Sequence, residues 1–142
     1  MDFRILRQDG FLIEHEPSCL VPGYLVITPP ADLARPRLER ILAHAREAIR
    51  LTIAPEVLHC ETMGEGPGPA RIHLFPRTRP ITRRFQGLFP DRDDLLQRPF
   101  LLHWARAHYR APLPAVWRAV GPLLPVLREA FLLSTRTGLP NP

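Results

Sequence analysis

Lysine is absent from this sequence, and cysteine is scarce. All 19 basic residues are therefore arginines, against 14 acidic residues, and the formal net charge is +5. Arginine stays protonated and presents a planar fork of donors, so any anion-binding site in this chain depends on guanidinium groups. Two cysteines, Cys19 and Cys60, are too few for a disulfide framework or a zinc site, and we expect both to be buried or half-buried thiols.

Long apolar runs are also absent. Charged residues interrupt the first segment at Asp2, Arg4 and Arg7, which argues against a signal peptide, and no stretch approaches the length that crosses a bilayer. We therefore expect a cytoplasmic protein that does not bind a membrane.

The basic residues are scattered except for one group, which consists of Arg77, Arg79, Arg83 and Arg84. No nucleic-acid-binding pattern accompanies this group, so nucleic acid is not an expected partner.

The spacing of apolar residues and breakers predicts the order of the elements. Alternation and flanking turns indicate strands over 11–15, 23–27, 56–62 and 70–75. Apolar residues at helical spacing predict an amphipathic helix over 37–53, with His44 on its exposed side. Residues 80–94 have the composition of a polar connection, and a later helix over 115–133 is expected to split at its prolines.

These elements predict an α+β fold with a largely antiparallel sheet, one main amphipathic helix and additional C-terminal helices. The length of 142 residues is typical of one domain, which we place over residues 1–136, followed by a loose tail over 137–142. His103 and His108 are five residues apart, too far round a helix to share a metal ion. No metal site and no cofactor are predicted.

Five segments carry a family resemblance. They are Phe11 to His15, Val21 to Ile27, the predicted helix, Met63 to Glu65 and His73 to Arg77. In these segments the chain resembles the histidine-triad (HIT) family of nucleotide hydrolases and transferases, especially its short bacterial members. The resemblance implies a HIT-like fold, a homodimer, and a small-molecule nucleotide or phosphate ester as the ligand.

The family motif places three histidines at alternate positions, and in many members Pro-Arg follows. If Pro76 and Arg77 are that pair, the third histidine is His73, the middle position is Arg71 and the first is Pro69. In the family the middle histidine attacks the α-phosphate and forms a nucleotidyl-histidine. A guanidinium group has no free lone pair for this attack, so the triad here is degenerate. In the other possible register His73 is the middle histidine and Phe75 occupies the third position.

The predicted strand places Arg71 and His73 on one face, where both can point at one anion. We therefore name Arg71 and His73 as the candidate catalytic residues, in electrostatic and acid/base roles. Arg71, His73 and Arg77 are the candidate substrate-binding residues. The structural alternatives are a salt bridge for Arg71, a hydrogen-bonded core histidine for His73 and a strand-end contact for Arg77.

Three functions fit this sequence. The first is a HIT-like protein that binds a nucleotide or phosphate ester and has lost standard nucleotidyl transfer. The second is a hydrolase or transferase that acts on an anionic phosphate-containing substrate by an altered mechanism. The third is a noncatalytic interaction protein that keeps only the fold. Fold resemblance does not choose among them, because function depends on the chemistry of the site.

Overall fold

A computed structural model describes residues 1–32, 34–64 and 66–137 of the chain. Its sheet contains five antiparallel strands in the order β1-β2-β3-β5-β4. The strands are β1 (Arg4–Gln8), β2 (Phe11–His15), β3 (Leu25–Thr28), β4 (Val57–Met63) and β5 (Arg71–Arg77). The helices are α1 (Arg35–Thr52), α2 (Arg79–Leu88), α3 (Pro99–His108), α4 (Leu113–Val120) and α5 (Leu124–Thr137), with 3-10 turns at Asp93–Leu95 and Gly121–Leu123. The predicted α+β fold with a largely antiparallel sheet is confirmed.

The sheet is covered by helices on both faces, because its central strands are apolar on both sides. Alternate residues of β2, β3 and β5, such as Ile13, Ile27 and Leu74, pack against α1 and α5. The residues between them, including Val26 and Phe75, pack against α2 and α3. Each fully buried aliphatic or aromatic side chain stabilises the fold by about 1.5–3 kcal/mol. Both faces of β5 are therefore held in place by tertiary packing.

The turn before β3 requires a glycine. Gly23 has a φ of +86°, and a Cβ atom there would lie 2.5 Å from the Ile53 Cγ1 atom. Its backbone N–H donates to Nε2 of His15 at 2.9 Å. A larger residue would strain the backbone and displace Ile53 from the end of α1, so this turn fixes how β3 enters the sheet.

The segment predicted as a polar connection, residues 80–94, is instead largely helical, and that prediction is wrong. Helix α2 occupies Arg79–Leu88, with Pro80 in its first turn, where a missing N–H costs no hydrogen bond. Ile81 and Phe85 lie four residues apart and are both buried against the sheet. These are the only two buried residues of α2, so tertiary burial rather than composition determines the helix.

Two further predictions from the sequence need correction. His44 is buried between α1 and α5, where its Nδ1 lies 2.7 Å from Ser134 Oγ. It was expected to be exposed because the second helix that covers it is ninety residues away in the sequence. Cys60 is exposed on edge strand β4, whereas Cys19 is buried as expected.

The C-terminal prolines act as predicted. The 3-10 turn Gly121–Leu123 separates α4 from α5, so Pro122 and Pro125 divide the predicted long helix. Helix α5 extends to Thr137, and the rest of the predicted tail, residues 138–142, lies outside the described residues. No helix in the described part of the chain is long and apolar enough to span a membrane.

Candidate functional site

Strand β5 places the candidate residues on the face of the sheet that α2 and α3 cover. In the register with β4, Arg71 lies opposite Met63, and His73 lies opposite Glu61. Phe75, two residues further on, belongs to the apolar cluster formed with α2 and α3. The alternation predicted from the sequence therefore does bring Arg71 and His73 to one face.

His73 is fully buried and hydrogen-bonded. Its side chain has 0% exposure, and its Nδ1 lies 2.6 Å from the Tyr24 hydroxyl oxygen. Tyr24 is itself 0% exposed and packs edge-on against Phe75. An imidazole that solvent does not reach cannot meet a substrate unless the covering helices move. This geometry favours the structural alternative for His73.

Arg71 occupies a more open position at the start of β5. Its side chain is half-buried, and its cross-strand neighbour Met63 contacts α3. The contact is made by Arg106, whose Nη1 lies 3.5 Å from the Met63 sulfur. Arg106 of α3 therefore contacts the methionine that pairs with Arg71 across the two strands.

Arg77 ties the end of β5 to the segment before α3. Its Nη1 donates to the backbone carbonyl of Leu96 at 3.0 Å, and only 7% of the residue is exposed. Burial lowers the pKa of Arg77 from its ordinary value, and the carboxylate of Glu56 partly opposes this shift. With its side chain turned inward, Arg77 fits the strand-end contact better than the role of a ligand-binding residue.

His59 is a neighbour that sequence reasoning did not single out as a site. It lies opposite Phe75 on β4, and its buried Nε2 has no hydrogen-bond partner among the described residues. Burial, and then the charge of Arg77, lower its pKa from 6.5 to about 4. His59 is therefore uncharged at neutral pH, and its strand neighbour Cys60 faces the opposite side, because successive residues of a strand alternate.

A polar cavity beside α3 was also missed. It has a volume of about 240 Å³ and is lined by Ser18, His103, Arg106, Ala107 and Arg110. Its α3 residues His103, Arg106 and Ala107 follow an i, i+3, i+4 pattern, which is a signal for one helix face that the sequence does show, and Arg110 comes just after the helix ends. Ser18 has no such signal, because only the tertiary fold brings it to α3. Among the described residues, no group of three or more His, Cys, Asp or Glu side chains could hold a metal ion.

The comparison with solved structures gives an informative likeness. No protein-family model and no curated protein matches the chain. A solved structure that is similar is the Hit-like protein involved in cell-cycle regulation from Bartonella henselae, determined with an unknown ligand. The likeness covers 92% of this chain and 87% of that one, with a TM-score of 0.51 and 10% sequence identity. At this identity the likeness concerns the fold alone, and the chain is therefore similar in its α+β architecture to a Hit-like protein.

Proposed function

We propose that this chain binds a phosphate-bearing small molecule, such as a nucleotide or phosphate ester, and does not carry out standard nucleotidyl transfer. The observation that carries the proposal concerns two residues of β5, Arg71 and His73. If the motif ends in Pro76 and Arg77, a guanidinium group, Arg71, stands where the HIT family has its nucleophile, and the remaining histidine, His73, is buried against Tyr24. The first group cannot form a nucleotidyl bond, and the second is not accessible to a substrate.

Arg71 supports the binding half of the proposal. It is half-buried at the start of β5, on the side of the sheet where Arg106 of α3 also points. A partly desolvated guanidinium binds a phosphate oxygen more strongly than one in bulk water, because the local dielectric constant is lower. The HIT-like architecture is a scaffold consistent with such a ligand, although architecture alone does not specify one.

Calorimetry tests the binding. Adenosine monophosphate and a panel of phosphate esters should bind the wild-type protein with dissociation constants in the millimolar range or tighter. Arg71→Gln should weaken binding about tenfold or more, since a charge-assisted hydrogen bond contributes about 1.5–3 kcal/mol. Arg7→Gln is the matched control, because Arg7 is an exposed arginine on β1 at the other edge of the sheet. If no phosphate-bearing compound binds at millimolar concentration, the proposed function is wrong.

A second experiment tests the absence of nucleotidyl transfer. The protein is incubated with adenosine phosphoramidate and with dinucleoside polyphosphates, and both product formation and protein mass are followed. We expect neither turnover nor a nucleotidylated protein. Turnover that His73→Ala abolishes would instead favour a hydrolase or transferase with an altered mechanism.

A further inference from the structure

A second cavity, the α2 cavity, lies between residues 20–22, Ile53, residues 78–81 and Tyr109. Its volume is about 360 Å³, which is within the range of pockets that bind small molecules. Six of its eight lining residues are aliphatic residues or prolines, and the other two, Thr78 and Tyr109, end in hydroxyl groups. Such walls suit a ligand with an apolar body and a single polar end.

Contacts within the protein hold these walls in place. The N–H of Leu20 donates to the carbonyl of Tyr109 at 2.8 Å, which joins the loop before β3 to the end of α3. Ile53 at the end of α1 lies against Gly23, the residue that follows the same loop. Ile81 is buried in the apolar cluster that α2 and α3 form with the sheet. The cavity is therefore formed before a ligand arrives, and binding does not have to order its walls.

Both hydroxyl groups in the lining are available to a ligand. Thr78 is the N-cap residue of α2, but its side chain makes no capping hydrogen bond. Within the described part of the chain, no hydrogen bond uses the hydroxyl of Tyr109. Burial raises the pKa of this hydroxyl, so it keeps its proton at neutral pH and can donate it to an acceptor on the ligand.

Arg84 brings a positive charge to the cavity. It lies four residues after Pro80, one turn further along the same face of α2, and its charge partly opposes the rise in the pKa of Tyr109. Its Nε donates to Nε2 of His108 at 3.3 Å, and an accepting ring nitrogen carries no negative charge. The guanidinium group has four further N–H groups for a ligand.

No carboxylate in the described residues neutralises Arg84. The two carboxylates that hydrogen-bond to α2 are those of Glu56 and Asp93, and their partners are Thr82 and Gln86. Neither forms an ion pair with Arg84. A largely apolar cavity beside one uncompensated guanidinium group is complementary in charge to an amphiphilic anion.

The donors at the polar end indicate which anion fits. One guanidinium fork and one hydroxyl match the two oxygens of a carboxylate. A doubly charged phosphate would lose more hydration energy against the apolar walls. We propose that the α2 cavity binds a small carboxylate with an apolar tail, with the tail against Leu20, Ile53 and Ile81 and the carboxylate at Arg84 and Tyr109.

This site is separate from the one at Arg71 and does not depend on the proposed function. Thr78 follows Arg71 by seven residues along the extended strand β5, which corresponds to roughly 24 Å at about 3.4 Å per residue. Arg71→Gln should therefore leave carboxylate binding unchanged, and Arg84→Gln should leave the binding of adenosine monophosphate unchanged. The failure of either proposal can thus be distinguished from the failure of the other.

The apolar part of the site is tested with a series of carboxylates of increasing length. Butanoate, hexanoate and octanoate are titrated into the full chain at constant ionic strength, by calorimetry and by amide NMR shifts. Affinity should rise by up to about fourfold for each added methylene group, and the shifts should lie at residues 20–24, 78–84 and 109. Leu20→Gln, at an exposed wall residue, should weaken octanoate binding, whereas Val126→Gln on exposed α5 should not.

The polar end is tested with octanol, octyl phosphate and an arginine variant. Octanol should bind about tenfold more weakly than octanoate, because it lacks the charge-assisted hydrogen bonds. Arg84→Gln should weaken octanoate binding about tenfold and bring it close to that of octanol. Arg7→Gln, at an exposed arginine on β1, is the matched control and should bind octanoate like the wild-type protein.

Each other outcome contradicts the proposal. Absence of saturable octanoate binding at millimolar concentration, or equal affinity for butanoate and octanoate, would overturn the cavity as a binding site. Full octanoate binding by Arg84→Gln would overturn the role of the charge, and tighter binding of octyl phosphate would overturn the ligand class. If Leu20→Gln fails to fold, the length series and Arg84→Gln still decide the assignment.

Discussion

His15 shows how a single buried residue fixes its own protonation state. Its Nε2 accepts the N–H of Gly23 at 2.9 Å, so the ring proton must be on Nδ1, which lies 3.0 Å from the carbonyl oxygen of Glu16. A second ring proton would point at another donor. Burial also lowers the pKa of His15. The ring is therefore neutral, and it joins β2 to the turn that precedes β3.

From His15 and His59 we predict that the protein loses stability in mild acid. Both pKa values are lowered by burial, that of His59 to about 4, whereas unfolded histidines titrate near 6.5. Above pH 6.5 both states are neutral and the stability is complete. Below it the unfolded chain binds protons that the folded protein does not, so the free energy of unfolding falls by at most about 1.4 kcal/mol per pH unit for each histidine. Half-exposed His59 contributes less than this maximum, because solvent screens it.

Urea unfolding at pH 7.5 and pH 5 measures the effect. We expect a lower free energy of unfolding at pH 5 in the wild-type protein. His59→Gln removes one titrating group and should reduce the difference between the two pH values. The matched control is His103→Gln. Because His103 is exposed, this substitution should leave the difference between the two pH values unchanged. Equal stability of the wild-type protein at the two pH values would contradict the prediction.

At the scale of the elements, α2 and α3 determine whether the β5 face is open or covered. Phe85 of α2 is fully buried and lies at the centre of an aromatic group with Phe89, Phe100 and Trp104. The ring centroids of Phe85 and Phe89 are 4.9 Å apart, and Trp104 packs edge-on against Phe85 at 5.3 Å. This contact couples the two helices that cover Tyr24 and His73.

Phe85→Ala should therefore destabilise the protein by about 3–5 kcal/mol, because it removes a large buried ring and leaves a cavity. Urea unfolding measures the loss. The adjacent exposed residue gives the control, since Gln86→Ala should change the free energy of unfolding by no more than about 0.5 kcal/mol. A small effect of Phe85→Ala would mean that the cover over β5 is weakly held.

The same elements show where sequence reasoning succeeds. Strand β2 was predicted with its observed bounds, and α1 within two residues at its N-terminal end, because their apolar periods are long and uninterrupted. Alternation in β5 correctly placed Arg71 and His73 on one face. Helix α2 was missed because only three of its ten residues are aliphatic or aromatic, and of these only Ile81 and Phe85 are buried. Strand β1 was also missed, since its exposed residues include two arginines.

The site was harder to predict than the fold, for a physical reason. Period-2 alternation shows which face a side chain occupies, but not what covers that face. The burial of His73 and Arg77 depends on α2 and α3, which follow β5 in the sequence and return across it. The α3 cavity depends on Ser18, which is far from Arg106 in the chain. Such long-range pairings leave no pattern in a single sequence.

At the scale of the whole molecule, edge strand β4 is a surface on which the predicted homodimer can be tested. Among the described strands it pairs only with β5, so one side of its seven residues remains available for another strand. Two chains of 16.2 kDa would give a particle of about 32 kDa, which light scattering distinguishes readily from the monomer. We expect the dimer mass for the wild-type protein.

A substitution in β4 tests whether this strand forms the dimer interface. Thr62 is exposed on β4, and Thr62→Arg adds a positive charge to this edge strand of a chain whose net charge is already positive. The added charge should disfavour pairing between two copies of the strand. We expect Thr62→Arg to shift the particle towards the monomer mass. Gln97→Arg adds the same charge at an exposed residue outside the sheet and should leave the dimer intact. A wild-type monomer would contradict the homodimer, whereas a dimer that resists Thr62→Arg would place the interface on another surface.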